Sequence, residues 1–116
     1  MSLITERAIS EMESAVIFSA LRLAATEEIS GAIMASVQNL RVVSQCECGC
    51  DSISFKRLTS SGNGRRVADG IGFTQNGEEV GVLVWVVADE ITDLELYNYS
   101  DELARLPEPA SIRPVG

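Results

Sequence analysis

The first forty residues carry apolar side chains at helical spacing. Ile9, Met12, Val16 and Leu23 fall on one stripe at helical spacing, and a second stripe of Ile29, Ile33, Val37 and Leu40 recurs every three or four positions. This period predicts two amphipathic helices. Thr5 and Thr26 each precede an acidic residue and are the predicted N-caps, because a threonine hydroxyl can accept a hydrogen bond from the first turn of a helix.

After residue 40 the apolar period changes to two, which is typical of strands. The candidate strands are residues 40–44, 53–57, 67–75, 79–88 and 91–97. Asn76-Gly77 is the strongest hairpin signal, because both residues tolerate the positive φ angles of a type I′ turn. Asp89-Glu90 is predicted to form the next turn. The sequence therefore predicts an α+β fold, with two N-terminal helices packed on a four- to five-stranded antiparallel sheet in meander order.

The C-terminal residues differ in composition from the rest of the chain. Pro107, Pro109 and Pro114 fall within eight positions, and proline both fixes φ and lacks an N–H donor. We therefore predict a single α+β domain over residues 1–105 and an extended proline-containing tail, without regular elements, over residues 106–116.

The candidate strand at residues 80–87 is apolar on both faces, whereas an antiparallel strand commonly has one polar face. Two short helices can cover only one of these faces. Leu83, Trp85 and Val87 lie on the other face, and an exposed apolar row of this size is typical of an interface. The favoured hypothesis is a homodimer formed through that face. The alternative is that the tail or the first helix folds over it.

Net charge and residue composition exclude several functions. Seventeen acidic residues stand against nine basic ones, there is no histidine, and the formal net charge is -8. A negative field repels phosphate groups and anionic lipids, so neither nucleic acid nor a membrane is an expected partner. Without imidazole there is no Ser-His or Cys-His catalytic pair. The opening residues carry no signal-peptide pattern, and a cytoplasmic location is predicted.

The three cysteines lie within one pentapeptide at the tip of a predicted hairpin. Cys46, Cys48 and Cys50 could converge on a soft metal ion such as zinc, for which thiolates are suitable ligands. A closed zinc site needs a fourth ligand, which no other cysteine or histidine of this chain can supply. In an extended strand the same side chains would instead share one face as small apolar groups. The purely structural interpretation is favoured, with a metal site and a redox site as alternatives.

A second group of candidate residues is acidic. Asp89, Glu90, Asp93 and Glu95 could supply paired carboxylates for hydrolysis or for a hard cation. They flank a predicted turn, where acidic residues are usually exposed to solvent. A small hydrolase is therefore the weakest of the functional hypotheses.

The order of several motifs resembles a group of short bacterial proteins without an assigned function. That group carries a central C-x-C-G-C motif and an L-E-x-Y strand before a proline-containing end. The matching segments here are a start with Leu3, Glu6 and Arg7, then Val42-Val43, Cys46 to Ser52, Asn76-Gly77, Leu94 to Tyr97, and Leu106-Pro107. They span nearly the whole chain, and the cysteine motif is the most specific of them. Where the group often has proline after the last cysteine, this chain has Asp51, which predicts a less rigid hairpin tip.

The resemblance implies a bacterial, cytoplasmic, single-domain protein and transfers no catalytic residue. Together with the charge, it favours a small acidic binding or interaction protein without catalytic activity and without a cofactor. The alternative is a thiolate protein that uses Cys46, Cys48 and Cys50 for metal binding, with zinc as the cofactor, or for redox chemistry.

Overall fold

A computed structural model describes residues 2–24, 29–58, 61–98 and 103–115. In these ranges the chain forms one antiparallel sheet of seven strands in the order β1-β2-β3-β6-β5-β4-β7, with two helices. The strands are β1 Ser2–Ala8, β2 Arg41–Gln45, β3 Ile53–Phe55, β4 Arg65–Phe73, β5 Glu79–Val87, β6 Glu90–Tyr97 and β7 Arg113–Pro114. The helices are α1 Glu11–Leu21 and α2 Gly31–Ser36, and 3-10 turns follow at Val37–Asn39 and Pro109–Ser111. Among the described residues, no helix combines the length and apolar character needed to cross a membrane.

The predicted sheet of four to five strands in meander order is wrong, although the two helices and the antiparallel pairing are present. The first additional strand is β1, at residues predicted to begin a helix. The helix begins later, because Ser10 and not Thr5 is its N-cap. The Ser10 side chain accepts from the Glu13 backbone, and the Glu13 side chain accepts from the Ser10 backbone. This reciprocal capping box leaves Ser2–Ala8 free to pair with β2.

The second helix also begins later than predicted. Ser30 caps α2, and its hydroxyl accepts from the Ile33 backbone at 3.1 Å. The other predicted cap, Thr26, lies outside the described residues.

The strand order departs from a meander at β3. This strand pairs with β6, with Ile53 opposite Leu94, and not with β4. The sheet therefore contains two runs of consecutive strands, β1-β2-β3 and β4-β5-β6, which meet where β3 lies beside β6. Because most of β6 is buried, its main-chain N–H and C=O groups need hydrogen-bond partners on both edges, and β3 supplies them on the edge away from β5.

Both predicted hairpins of the meander part are present with altered turns. In the first turn, between β4 and β5, Gly77 is the one residue with a positive φ, of 82°. Its N–H donates to the Thr74 carbonyl at 2.9 Å. This is a three-residue loop ending in a left-handed residue, and not the predicted type I′ turn. The next turn lies one residue earlier than predicted, at Ala88 and Asp89, where Ala88 has a φ of 53°.

The C-terminal segment contains regular elements, contrary to prediction. Pro109–Ser111 form a 3-10 turn, and β7 pairs with β4. The Phe73 N–H donates to the Ser111 hydroxyl at 2.8 Å, which ties this segment to the end of β4. Proline is compatible with both elements, because it lies at the first position of the turn and on an edge strand.

The helices cover one face of the sheet. Four alternate residues of β5 are at most 1% exposed on that face: Val80, Val82, Val84 and Val86. Helix α1 packs against β4 and β5, while α2 packs against β6. The other face carries the side chains between these valines, and the hairpin with the cysteines lies at one end of β2 and β3.

Candidate metal centre

The cysteines lie in the connection between β2 and β3, which we call the cysteine loop (residues 46–52). Its base is closed by the Cys46 N–H, which donates to the Ser52 carbonyl at 3.0 Å. Within it, the Gly49 N–H donates to the Cys46 carbonyl at 3.2 Å, which forms a tight turn. Gly49 has a φ of 95°, a conformation that residues with a Cβ rarely adopt. The prediction of a hairpin with the cysteines at its tip is therefore confirmed.

The turn brings the three sulfur atoms together. The Sγ atoms of Cys46, Cys48 and Cys50 all lie within 4.8 Å of one another. Cys46 and Cys48 are joined as a disulfide with a Cα–Cα distance of 5.3 Å, and Cys50 is a free thiol. The Cys50 N–H points at the sulfur of Cys48 at 3.4 Å. The cluster therefore offers two kinds of chemistry, which are metal binding by three thiolates and disulfide formation by two.

The cysteines lie in a turn and do not share one face of a strand. The interpretation of them as three small apolar groups on one strand face is therefore wrong. Cys48 is exposed, whereas Cys46 and Cys50 are half-buried. Cys50 alone packs against the hydrophobic core.

The cysteine loop is anchored by the segment Leu103–Leu106, which is about fifty residues away in sequence. The Asp51 N–H donates to the Ala104 carbonyl at 2.9 Å, and the Leu106 N–H donates to the Asp51 carboxylate at 2.8 Å. The Arg105 guanidinium donates to the Gly49 carbonyl at 3.0 Å and lies 3.4 Å from the Asp51 carboxylate. Asp51 thus ties the cysteine loop to the C-terminal segment through both its main chain and its side chain.

Arg105 is the functional candidate that sequence reasoning missed. It brings a positive charge to a loop whose own charged residues, Glu47 and Asp51, are both acidic. No local pattern near residue 50 or near residue 105 signals this contact, because it depends on how the C-terminal segment crosses the end of the sheet.

Ser52 replaces a missing part of the β3–β6 ladder. Its hydroxyl accepts from the Leu96 N–H at 2.8 Å and donates to the Leu96 carbonyl at 3.2 Å. Continuing the β3 register would place the backbone of Asp51 opposite Leu96, but that backbone turns away to Ala104. Because Ser52 and Leu96 are each only 4% exposed, the hydroxyl satisfies two main-chain groups that water does not reach.

The acidic residues around the β5–β6 turn do not form a comparable site. Within the described part of the chain, only the three cysteines form a group of at least three metal-ligating side chains with converging ligand atoms. Glu90 accepts from the Leu58 N–H at 3.0 Å, and Glu95 accepts from the indole N–H of Trp85 at 3.1 Å. The carboxylates are therefore bound to separate partners along the strand.

The predicted dimer face is partly covered within one chain. Leu83 is 8% exposed, and its cross-strand neighbours are Asp69 and Glu95. Trp85 and Val87 are half-buried. The homodimer through this face stays a prediction.

A groove lies next to the anchoring segment of the cysteine loop. It has a volume of about 740 Å³, and Met12, Thr74, Leu103, Arg105 and Glu108 are among its lining residues. Leu103 and Arg105 thus border both the groove and the cysteine loop, where Leu103 lies against Gly49. Its described lining residues contain no second group of converging metal-ligating side chains.

Comparisons of the chain with protein-family models, with curated proteins and with solved structures find no match. The resemblance to the short bacterial group with a C-x-C-G-C motif stays a prediction.

Proposed function

We propose that the protein binds one thiophilic metal ion, with Zn²⁺ as the first candidate, through the thiolates of Cys46, Cys48 and Cys50. The observation that carries the proposal is the convergence of all three sulfur atoms within 4.8 Å of one another. Zn–thiolate bonds are about 2.3 Å long, so two sulfur atoms bound to one tetrahedral ion are about 3.8 Å apart. The sulfur atoms of this loop are therefore close enough together to bind one ion.

The surroundings of the sulfurs support an anionic cluster. The Cys50 N–H directed at the Cys48 sulfur favours negative charge on that atom. Arg105, held at the loop by the Gly49 carbonyl, offsets part of the charge that three thiolates and the neighbouring acids bring together.

The ligand set leaves a fourth tetrahedral position open. Asp51 is committed to Arg105 and to the Leu106 N–H, so its carboxylate already has partners. Water, Glu47 or a group from a second molecule would complete the coordination, as in zinc sites with three protein ligands. A reducing compartment such as the cytoplasm would keep the three side chains available as thiols.

The proposal is tested with untagged protein reduced under argon and titrated with Cd²⁺, a redox-inert probe of thiolate sites. The expected result is a thiolate-to-metal charge-transfer absorption that saturates at one equivalent and is displaced by a competing chelator. Bound Zn²⁺ should also raise the free energy of unfolding, by about 2.7 kcal/mol at a free Zn²⁺ concentration of 100 times Kd. This gain is measured as a higher midpoint of unfolding.

Three variants and one control define the ligands. Cys46→Ser, Cys48→Ser and Cys50→Ser should each abolish the one-equivalent endpoint, because serine is not ionised at neutral pH. The control Gln45→Ala changes an exposed residue next to the loop without removing a thiol and should keep the charge-transfer absorption. Reduced wild-type protein without a stoichiometric thiolate–metal band overturns the proposal and returns the favoured function to an acidic interaction protein without a metal.

A further inference from the structure

We infer that the cysteine loop is an oxidation-released metal site, in which joining Cys46 to Cys48 expels the ion and leaves Cys50 as a thiol. The inference rests on the proposed metal function and adds its regulation. It draws on the presence of a specific disulfide pair and a free third thiol within one converged cluster.

The geometry favours this particular pair. The Cα atoms of Cys46 and Cys48 are 5.3 Å apart, which is within the usual range for disulfides. Cys48 is exposed, so a small oxidant can reach its sulfur directly. The third sulfur, on half-buried Cys50, packs against the core and stays outside the pair.

The backbone of the loop does not depend on which of the two chemistries the sulfurs adopt. Main-chain hydrogen bonds from Cys46 to Ser52, within the turn at Gly49, and from Asp51 to Ala104 hold the loop in place. None of these bonds uses a sulfur atom. The three side chains can therefore exchange a metal for a disulfide without unfolding of the hairpin.

The reaction balances with a peroxide as the oxidant. Two thiolates lose one electron each and form the S–S bond between Cys46 and Cys48. One hydrogen peroxide takes up these two electrons and two protons, its O–O bond breaks, and two waters form. The metal leaves as an aquated dication with its charge unchanged, and the released Cys50 thiolate takes up a proton from solvent to become a free thiol.

Disulfide formation removes the metal because the paired sulfurs are no longer thiolates. Cys50 then remains as a single ligand from this cluster. Within the described ranges no other converging group of ligands could retain the ion. Loss of two of three ligands is expected to lower the affinity by several orders of magnitude.

The experiment starts from reduced wild-type protein loaded with one equivalent of Zn²⁺ and purified from excess metal. One equivalent of hydrogen peroxide is added in the presence of a chromogenic zinc indicator. The expected result is release of close to one Zn²⁺ per chain, and a return of Zn²⁺ binding after treatment with dithiothreitol. Recovery distinguishes a disulfide from sulfinic acid or methionine sulfoxide, which dithiothreitol does not reverse under these conditions.

The identity of the pair is read by mass spectrometry. Trypsin releases residues 42–56 as one peptide with all three cysteines, because no Lys or Arg lies between Arg41 and Lys56. Differential alkylation before and after reduction should place the first label on Cys50 alone. The variant Cys50→Ser, which cannot form the full metal site, should still form the Cys46–Cys48 disulfide in its metal-free state.

The outcomes separate the two proposals. Reduced protein that holds no Zn²⁺ before peroxide is added overturns the proposed function and, with it, this inference. Protein that binds Zn²⁺ but keeps it after peroxide has consumed two thiols overturns the inference alone. The inference alone is also overturned if alkylation before reduction labels Cys46 or Cys48, or if the disulfide joins two chains.

Discussion

The hydroxyl of Ser52 gives a direct test of how the cysteine loop is joined to the sheet. In Ser52→Ala the Leu96 N–H loses an acceptor at 2.8 Å and the Leu96 carbonyl loses a donor at 3.2 Å. A buried main-chain group left without a partner costs about 1–3 kcal/mol. The backbone of Asp51 cannot replace the hydroxyl without breaking its own bond to Ala104. Two such groups lose a partner, so we expect Ser52→Ala to lower the free energy of unfolding by about 2 kcal/mol, the sum of the low ends of that range.

The measurement is urea unfolding followed by the fluorescence of Trp85, the single tryptophan, and in parallel by far-ultraviolet circular dichroism. For a domain of this size the loss corresponds to a decrease of about 6–12 °C in Tm. Ser14→Ala is the matched control, because the Ser14 hydroxyl makes only a local bond to the Glu11 carbonyl on the surface of α1. That variant should stay within about 0.5 kcal/mol of wild type. A Ser52→Ala protein within the same margin would refute the ladder role of the hydroxyl.

Two further predictions concern local backbone geometry and pH. Ala88→Gly should stabilise the protein by about 0.5–1 kcal/mol in the same urea assay. Ala88 has a φ of 53°, where the strain caused by a Cβ costs more than the extra unfolded-state entropy of glycine. A lower urea midpoint for the variant than for wild type would contradict this. Burial opposes ionisation of Glu13, but hydrogen bonds from Arg7 and the Ser10 backbone outweigh it, and the pKa is lowered below 4.5. Ionised Glu13 thus stabilises the folded protein. This stabilisation is present above pH 4.5 and is lost as the pH falls through the lower pKa of Glu13 in the folded state. Glu13→Gln should therefore lower the free energy of unfolding at pH 7, and the loss is only about 1 kcal/mol because Arg7 is partly exposed. Urea titrations at several pH values should show the difference from wild type shrinking between about pH 5 and pH 3. A difference that stays constant with pH would contradict the assignment.

Local sequence signals predicted the hairpins well. The Asn76-Gly77 pair, the apolar β5 and the turn before β6 each depend on neighbouring residues, so the period-two pattern and the turn residues suffice to find them. Even there, the turn geometry differed in detail. A positive φ at Gly77 alone satisfies a three-residue loop, and Ala88 adopts a conformation that its side chain does not favour. Composition locates a turn better than it specifies its type.

The edges of the sheet were not predictable in the same way. β1 is mostly exposed, so its residues carry no strong apolar period, and only the capping box at Ser10 and Glu13 indicates that the helix begins later. β7 has two residues and includes Pro114, a residue that argues against a central strand. The pairing of β3 with β6 joins segments about forty residues apart. It provides hydrogen-bond partners for the second edge of a largely buried strand, and no local motif predicts it.

The candidate site combines these two kinds of information. The proximity of the three sulfurs follows from a short local motif, in which Gly49 permits the turn that folds the cysteines toward one another. The anchors of that turn come from distant strands and from the C-terminal segment, and they were found only in the fold. Ser52 ties the loop to β6, while Arg105 and Asp51 tie it to Leu103–Leu106.

This division of roles has a consequence for metal binding. A free peptide with the same motif must order its backbone when it binds an ion, at a cost of about 1–2 kcal/mol per residue. In the folded protein the bonds at the Cys46 and Asp51 backbones have already fixed the loop, so only the thiols must adjust. Metal affinity should then depend on Ser52 as well as on the cysteines. A Ser52→Ala protein that keeps its fold but binds Cd²⁺ more weakly than wild type would show that the sheet positions the ligands, whereas equal affinity would show that the motif binds metal on its own.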